Sequence, residues 1–285
     1  MRILIVGAGW LGQALAIKLQ AQGHQLVVTK TTSEGVANLQ ALGLDARLLA
    51  LPAAPEQTLV HPLAGESFDW VIGAFPPGLR KATDAGLDDY ANRWQHLMDL
   101  TRELNIKRCM MISTTGVYPS VAQRMQEDDA SFEKAKQSEQ FSVKAKAILK
   151  AEDVAIRSET PSVILRCSGL IGPERHPKRF VQYMKTISTL APANMVHQAD
   201  VIAACEFMIE QDIQNQVLNL TSPKTVDKAS FYQAALGDTP LTDYVELSQQ
   251  ADKYICADKI LGLGFEFIYS DSLAAVKALN KTQVD

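Results

Sequence analysis

The chain lacks any uninterrupted apolar stretch of the roughly 20 residues that a membrane-crossing helix needs, so a membrane partner is not expected. It also lacks a basic block. Its 28 Lys and Arg face 32 Asp and Glu for a net charge of -4, and nucleic-acid binding rests on clustered cations that are missing here. Cysteine is scarce. Cys109, Cys167, Cys205 and Cys256 are scattered without a C-x-x-C or Cys/His spacing, so neither a metal ligand set nor a disulfide framework is expected. They read as reduced core thiols of a cytoplasmic protein. Arg2 followed by apolar residues imitates an export signal, but three glycines and then Lys18 interrupt it, and the segment reads as a first strand. No internal repeat or low-complexity segment is present.

What remains is an ordinary globular composition, 47% hydrophobic and 21% charged over 285 residues, long enough to bury a core without cross-links. The run Ile3-Leu4-Ile5-Val6-Gly7-Ala8-Gly9-Trp10-Leu11-Gly12 is an apolar strand followed at once by G-x-G-x-x-G. An amphipathic segment then runs to about Gln22 and stops at Gly23. Strand, glycine turn and helix in this order are what a dinucleotide site needs. Gly7 permits the tight turn, Gly9 lets the backbone approach a pyrophosphate, and Gly12 allows close helix–strand packing. The helix N-terminus at Trp10 and Leu11 offers N–H groups to the anion.

Further along, β-like runs alternate with helical stretches. Strands are predicted at 2–6, 25–29, 47–51, 70–75, 108–113 and 162–166, with helices at 11–22, 36–42, 88–104 and 138–155. Beyond them the alternation loosens, with helices predicted near 180–187, 199–211, 228–236, 257–261 and 270–279 and strands at 217–220 and 265–268. This is the pattern of an α/β protein with a Rossmann-like, doubly wound parallel sheet and a small C-terminal substrate lobe. The expected division is a dinucleotide-binding domain over 1–171, joined by about 196–221, and a lobe from 172–195 and 222–285. In such a sheet ligands bind at the carboxyl ends of the strands.

Strand two ends in Thr29-Lys30-Thr31-Thr32, with Lys30 where an acid would hold the ribose 2′-OH of NAD. A cation flanked by hydroxyls suits a 2′-phosphate, so NADP is preferred over NAD. Glu34, one helical turn away, leaves NAD open. After strand four, Phe75-Pro76-Pro77 forms a rigid wall beside the site. Strand five ends in Ser113-Thr114-Thr115, and such a row of hydroxyls is costly to bury unless it is used.

These segments together, GAGWLG, ISTTGVY, LRCSGLIGP and MVHQADVI in this order and spacing, resemble the extended short-chain dehydrogenase/reductases with their NAD-dependent epimerases and dehydratases. GLIGPERHPKRF narrows the resemblance to a YeeZ-like branch. The resemblance covers nearly the whole chain. It implies an NAD(P)-dependent oxidoreductase, epimerase or dehydratase acting on a small anionic, nucleotide-sugar-like substrate. It implies cofactor contacts from Gly7, Gly9, Trp10, Leu11, Gly12, Lys30, Thr31, Thr32, Phe75, Pro76, Ser113, Lys146, Cys167, Gly169 and Leu170. The catalytic hydroxyl corresponds to Thr114. The family's Tyr-x-x-x-Lys falls in its best register on Ser142 and Lys146; the register Gln140 with Lys144 is poorer, and neither offers a tyrosine. Tyr118 is an alternative phenol. His176, Arg179 and His197 are the candidate substrate contacts. Two helices, 88–104 and 138–155, imply a homodimer, although the polar character of the second leaves a monomer open. The missing tyrosine keeps a second function in view, a non-catalytic dinucleotide-binding redox sensor.

Overall fold

A computed structural model describes residues 1–78 and 87–281. The first segment is strand β1 (Arg2–Val6), helix α1 (Trp10–Ala21), β2 (Gln25–Lys30), α2 (Ser33–Ala41) and β3 (Asp45–Leu48). Next come β4 (Trp70–Gly73), α3 (Asp89–Glu103), β5 (Arg108–Thr114), the two-residue β6 (Arg124–Met125), α4 (Phe132–Lys136), α5 (Val143–Ile156) and β7 (Ser162–Cys167). The remainder is β8 (Gly169–Ile171), α6 (Lys178–Val181), β9 (Thr186–Ser188), β10 (Met195–His197), α7 (Gln198–Glu210), β11 (Gln216–Leu220), α8 (Lys228–Leu236), β12 (Glu246–Ser248), β13 (Tyr254–Ile255), α9 (Asp258–Gly262) and α10 (Ser272–Lys281).

Seven strands form one parallel sheet in the order β11-β7-β5-β4-β1-β2-β3. Its register is fixed at the centre, where Leu4 pairs with Val27 on one side and Val71 on the other. The innermost strands are apolar throughout, as a sheet covered on both faces requires: residues 3–6 and 71–72 are all buried. The order turns back at β1, and the crevice beside such a switch point is where a doubly wound sheet takes its ligand.

The chain divides into two compact units. Unit 1 comprises 1–113, 130–165 and 208–217, and unit 2 comprises 114–129, 166–207 and 218–285. The division expected from sequence put 114–129, 166–171, 196–207 and 218–221 with the nucleotide domain, whereas all four segments belong to unit 2. In unit 1, α3 packs on α5, and its Tyr90 and Trp94 are buried against Phe75, with the Phe75 and Trp94 rings stacked 5.0 Å apart. In unit 2, Val181, Ile187, Phe231, Leu241 and Val276 form a separate core. Three small parallel pairs, β8 with β10, β9 with β12 and β6 with β13, complete it. The four thiols are all buried and reduced.

Two expected elements differ in kind. The helix read near 180–187 is a short helix that stops at Val181 and gives way to β9, because β9 is claimed by parallel pairing with Glu246–Ser248. The strand read at 265–268 is not one. The N–H groups of Ile268 and Tyr269 bond instead to the Asp200 carboxylate at 2.6 and 3.2 Å.

Candidate dinucleotide site

The site begins with the turn between β1 and α1. Gly7 adopts φ +89, and a Cβ there would lie 2.8 Å from the Phe75 backbone nitrogen. Its N–H donates to Thr29 Oγ1 at 3.2 Å, while Ala8 N–H donates to Thr29 O at 3.0 Å. The turn is thus tied to the end of β2. Gly12 lets α1 close onto it, since a Cβ at Gly12 would be 2.9 Å from Gly7 O. Gly9 differs. A Cβ there would meet nothing nearer than Gly7 O at 4.0 Å, so this glycine keeps space open. Among the described residues, no side chain caps α1 and no acid occupies its first turn. The positive end of the helix dipole at this turn favours an external anion.

A cleft of about 500 Å³ opens over this turn, lined by Gly7, Gly9, Thr29–Thr31, Leu49–Leu51, Phe75, Pro76 and Arg93. Its lining is aromatic at Phe75, which packs on Tyr90 and Trp94, and aliphatic at Leu49–Leu51. Its two charged lining residues are cations, Lys30 and Arg93; among the described residues no carboxylate lines it. The stem of Lys30 lies across Gly35, where a Cβ would come within 3.1 Å of Lys30 Cγ. Thr32 caps α2, its Oγ1 accepting from Gly35 N–H at 3.2 Å. The residues fit a dinucleotide: a glycine cradle, a helix start without a side-chain cap, an apolar lining and two cations.

Sequence reasoning missed Arg93. It sits on α3 one residue before the buried Trp94, and helical periodicity alone does not say that this position meets the strand ends. Leu49–Leu51 were expected to end a strand, but β3 stops at Leu48 and the three residues turn to line the cleft.

The other expected residues of unit 1 are engaged locally. Ser113 is buried, and its Oγ donates to the buried Glu152 carboxylate at 2.5 Å. Ser142 is the N-cap of α5, and its Oγ accepts from Ala145 N–H at 3.1 Å. Lys146 follows one turn later, with its N–H on Ser142 O at 3.0 Å and its ammonium 3.8 Å from Glu139.

In unit 2, Thr114 is half-buried with its Oγ1 accepting from Gly116 N–H at 3.1 Å. Tyr118 is buried, donates to Asn219 Oδ1 at 2.7 Å and accepts from Arg166 at 3.0 Å. Burial, outweighing the nearby Arg166 guanidinium, pushes its phenol up to about 12. Glu127 completes this network by accepting from Asn219 N–H at 2.8 Å. Cys167 is buried, whereas Gly169 is exposed and Leu170 half-exposed on β8. His176 is 2% exposed, with Nε2 2.8 Å from Asn280 and Nδ1 accepting from Lys178 N–H at 3.2 Å, so both ring nitrogens are occupied. His197 is also buried; its Nδ1 accepts from Ala199 N–H and its ring lies 4.5 Å from Tyr269. Desolvation lowers the pKa of both histidines. Arg179 is exposed and donates to Glu174 O at 2.7 Å. Among the described residues no cluster of His, Cys, Asp and Glu is arranged to hold a metal, and no helix is long and apolar enough to cross a membrane.

The NAD dependent epimerase/dehydratase family model matches residues 3–221. The chain belongs to this family. Among curated relatives of this epimerase/dehydratase chain is Protein YeeZ of Escherichia coli K12, 29% identical over 280 residues, covering 95% of this chain and 97% of YeeZ. Solved structures share the fold. WbmG of Bordetella bronchiseptica, in complex with NAD, superposes with TM-score 0.73 at 15% identity over 99% of this chain and 94% of WbmG. Human epimerase family protein SDR39U1, with NADPH, gives 0.70 at 17% identity over 98% of each chain.

Proposed function

We propose that this epimerase/dehydratase-family chain is an NADP-preferring, nicotinamide-dinucleotide-dependent oxidoreductase, epimerase or dehydratase acting on a small anionic substrate. The observation that carries the reading is the cleft over β1, β2 and β4. It joins the glycine turn and a helix start without a side-chain cap to two cations, with no lining carboxylate among the described residues. The pyrophosphate would lie at Gly9 and the start of α1, and the 2′-phosphate against Lys30. The cofactor supplies a hydride acceptor and donor when bound. Within unit 1, Lys146 would hold the reacting end by hydrogen bonds, with Ser142 at the register of the family tyrosine; the family's catalytic hydroxyl corresponds to Thr114. Arg179 is an exposed cation that could meet an anionic substrate.

A second reading has its own support. Ser142 brings no phenol, its hydroxyl already serves the helix, and an aliphatic hydroxyl is a far weaker acid than a phenol. General acid–base help is worth about 10²–10⁴-fold, so a chain without it serves equally as a dinucleotide-responsive sensor. Hydride transfer to any member of a metabolite panel, abolished by Lys146→Ala, selects the enzyme.

The founding test is calorimetric titration with NADPH and with NADH, on the parent and on Lys30→Asp. Tighter NADPH binding, reversed toward NADH by the substitution, is expected. Absence of binding to both removes the enzyme and the sensor together.

A further inference from the structure

Arg93 lines the dinucleotide cleft, and the proposed function leaves it without a role of its own. Its place is fixed by its neighbours on α3. Tyr90, one turn earlier, and Trp94, the next residue, are both buried against Phe75. Asn92 Nδ2 donates to Ala53 O at 2.7 Å, and His96 Nε2 lies 3.1 Å from Ala54 O. These bonds tie the helix to the segment that follows the cleft-lining Leu49–Leu51. The backbone that carries Arg93 is therefore held from two sides, as a residue that positions a ligand requires. The side chain is half-buried, and its Nη1 lies 3.9 Å from the point that a Cβ at Gly78 would occupy. The guanidinium thus stands beside the turn that leaves β4.

That position decides which part of a dinucleotide the cation meets. β1 lies between β4 and β2 in the sheet. Neighbouring strands are about 4.8 Å apart, so the ends of β4 and β2 are separated by about 10 Å. Lys30 ends β2, Arg93 stands on the β4 side, and the glycine turn lies between them. One cation does not serve both ends of this span. A Lys30 engaged by a 2′-phosphate is about one Debye length from the β4 side in ~0.1 M salt. A dinucleotide's pyrophosphate carries a negative charge on each phosphate, whereas the dipole of α1 offers roughly half a positive charge. The remainder calls for a second cation at the turn. The planar fork of arginine matches paired phosphate oxygens better than the point charge of a lysine.

We propose that Arg93 is the pyrophosphate clamp of this site. Its guanidinium closes on the pyrophosphate from the β4 side, together with the start of α1. It sets the affinity common to NADPH and NADH, while Lys30 sets the ratio between them. The proposal rests on the dinucleotide reading and adds a positioning residue to it.

The test is calorimetric titration of the full chain with NADPH, NADH and ADP-ribose, on the parent, Arg93→Gln, Arg93→Met and Arg93→Lys. Arg93→Gln should weaken all three ligands by a similar factor, about ten- to hundredfold, and leave the NADPH-to-NADH ratio within about twofold of the parent's. Arg93→Met keeps the apolar stem and should match the glutamine variant, and Arg93→Lys should recover part of the loss. Thermal midpoints of the ligand-free variants check that each folds. A loss confined to NADPH overturns the proposal by putting the guanidinium on the 2′-phosphate. A loss that spares ADP-ribose overturns it by putting the guanidinium at the nicotinamide end. Unchanged affinities in folded glutamine and methionine variants also overturn it, and leave the proposed function standing. A parent that binds neither dinucleotide removes both.

Discussion

Ser142 occupies the register of the family tyrosine, yet its hydroxyl accepts from Ala145 N–H and it starts α5 in an extended conformation with ψ 156. The two roles predict different outcomes for the same substitution. A serine cap is worth about 1 kcal/mol, with a range of roughly 0.5–2. In a chain of this size that is a fall of about 2 °C in thermal midpoint for Ser142→Ala. Ser142→Asp keeps a good capping oxygen and adds a favourable charge at the positive end of the helix, so it should unfold at or above the parent temperature. Lys146 N–H bonds to Ser142 O, so the cap also holds the turn that carries the lysine. The alanine variant should lose a few-fold in NADPH affinity and the aspartate variant less than twofold. Thermal unfolding and NADPH calorimetry on the three proteins decide the matter. An unchanged midpoint in Ser142→Ala, with NADPH binding reduced equally by alanine and aspartate, would refute the capping argument and put the hydroxyl on the ligand.

Two further outcomes follow from packing and from the buried polar network. Gly73 faces Trp94, and a Cβ there would penetrate the indole, which is fully buried and backed by Phe75. Gly73→Ala should cost about 1–3 kcal/mol by overpacking, read as a lower urea midpoint; Gly73→Ala/Trp94→Leu should cost less than the sum of the singles, and strict additivity would contradict the clash. Tyr118→Phe leaves Asn219 Oδ1 and one Arg166 donor short of a partner, a loss of about 1–3 kcal/mol. The phenol's folded pKa of about 12 lies above the ordinary value of 10, so the unfolded chain releases this proton first. The Tyr118 contribution is therefore intact below pH 10 and declines between about 10 and 12. The gap in urea midpoint between parent and Tyr118→Phe should narrow over that range, and a widening gap would show the sign to be wrong.

The features legible in the sequence are those set by neighbouring residues. The first strand, the glycine turn and the first helix are local: Gly7 needs positive φ, Gly12 needs to be small, and both needs show within a dozen residues. Long-range pairing was not legible. Phe180, Val181, Met184 and Ile187 have helical spacing, and only their meeting with a segment 60 residues later makes part of that run a strand. Phe265–Ile268 has the composition of a strand, but a buried carboxylate on α7 takes its backbone donors. The candidate site divides in the same way. Lys30 follows directly from the end of β2, whereas Arg93 reaches the cleft through the packing of α3. His176 draws attention as a histidine in a basic loop, and only the fold reveals both of its nitrogens as bonded internally.

The buried cysteines govern how the native protein meets thiol-reactive chemistry. Burial pushes Cys109 on β5 and Cys167 on β7 up to about 12, with Cys205 and Cys256 raised as well. At pH 8 the first two are therefore held as thiols rather than thiolates. Alkylating reagents and peroxide therefore find almost no nucleophile until the strands part, which makes these two thiols clocks for the opening of neighbouring strands in the sheet's interior.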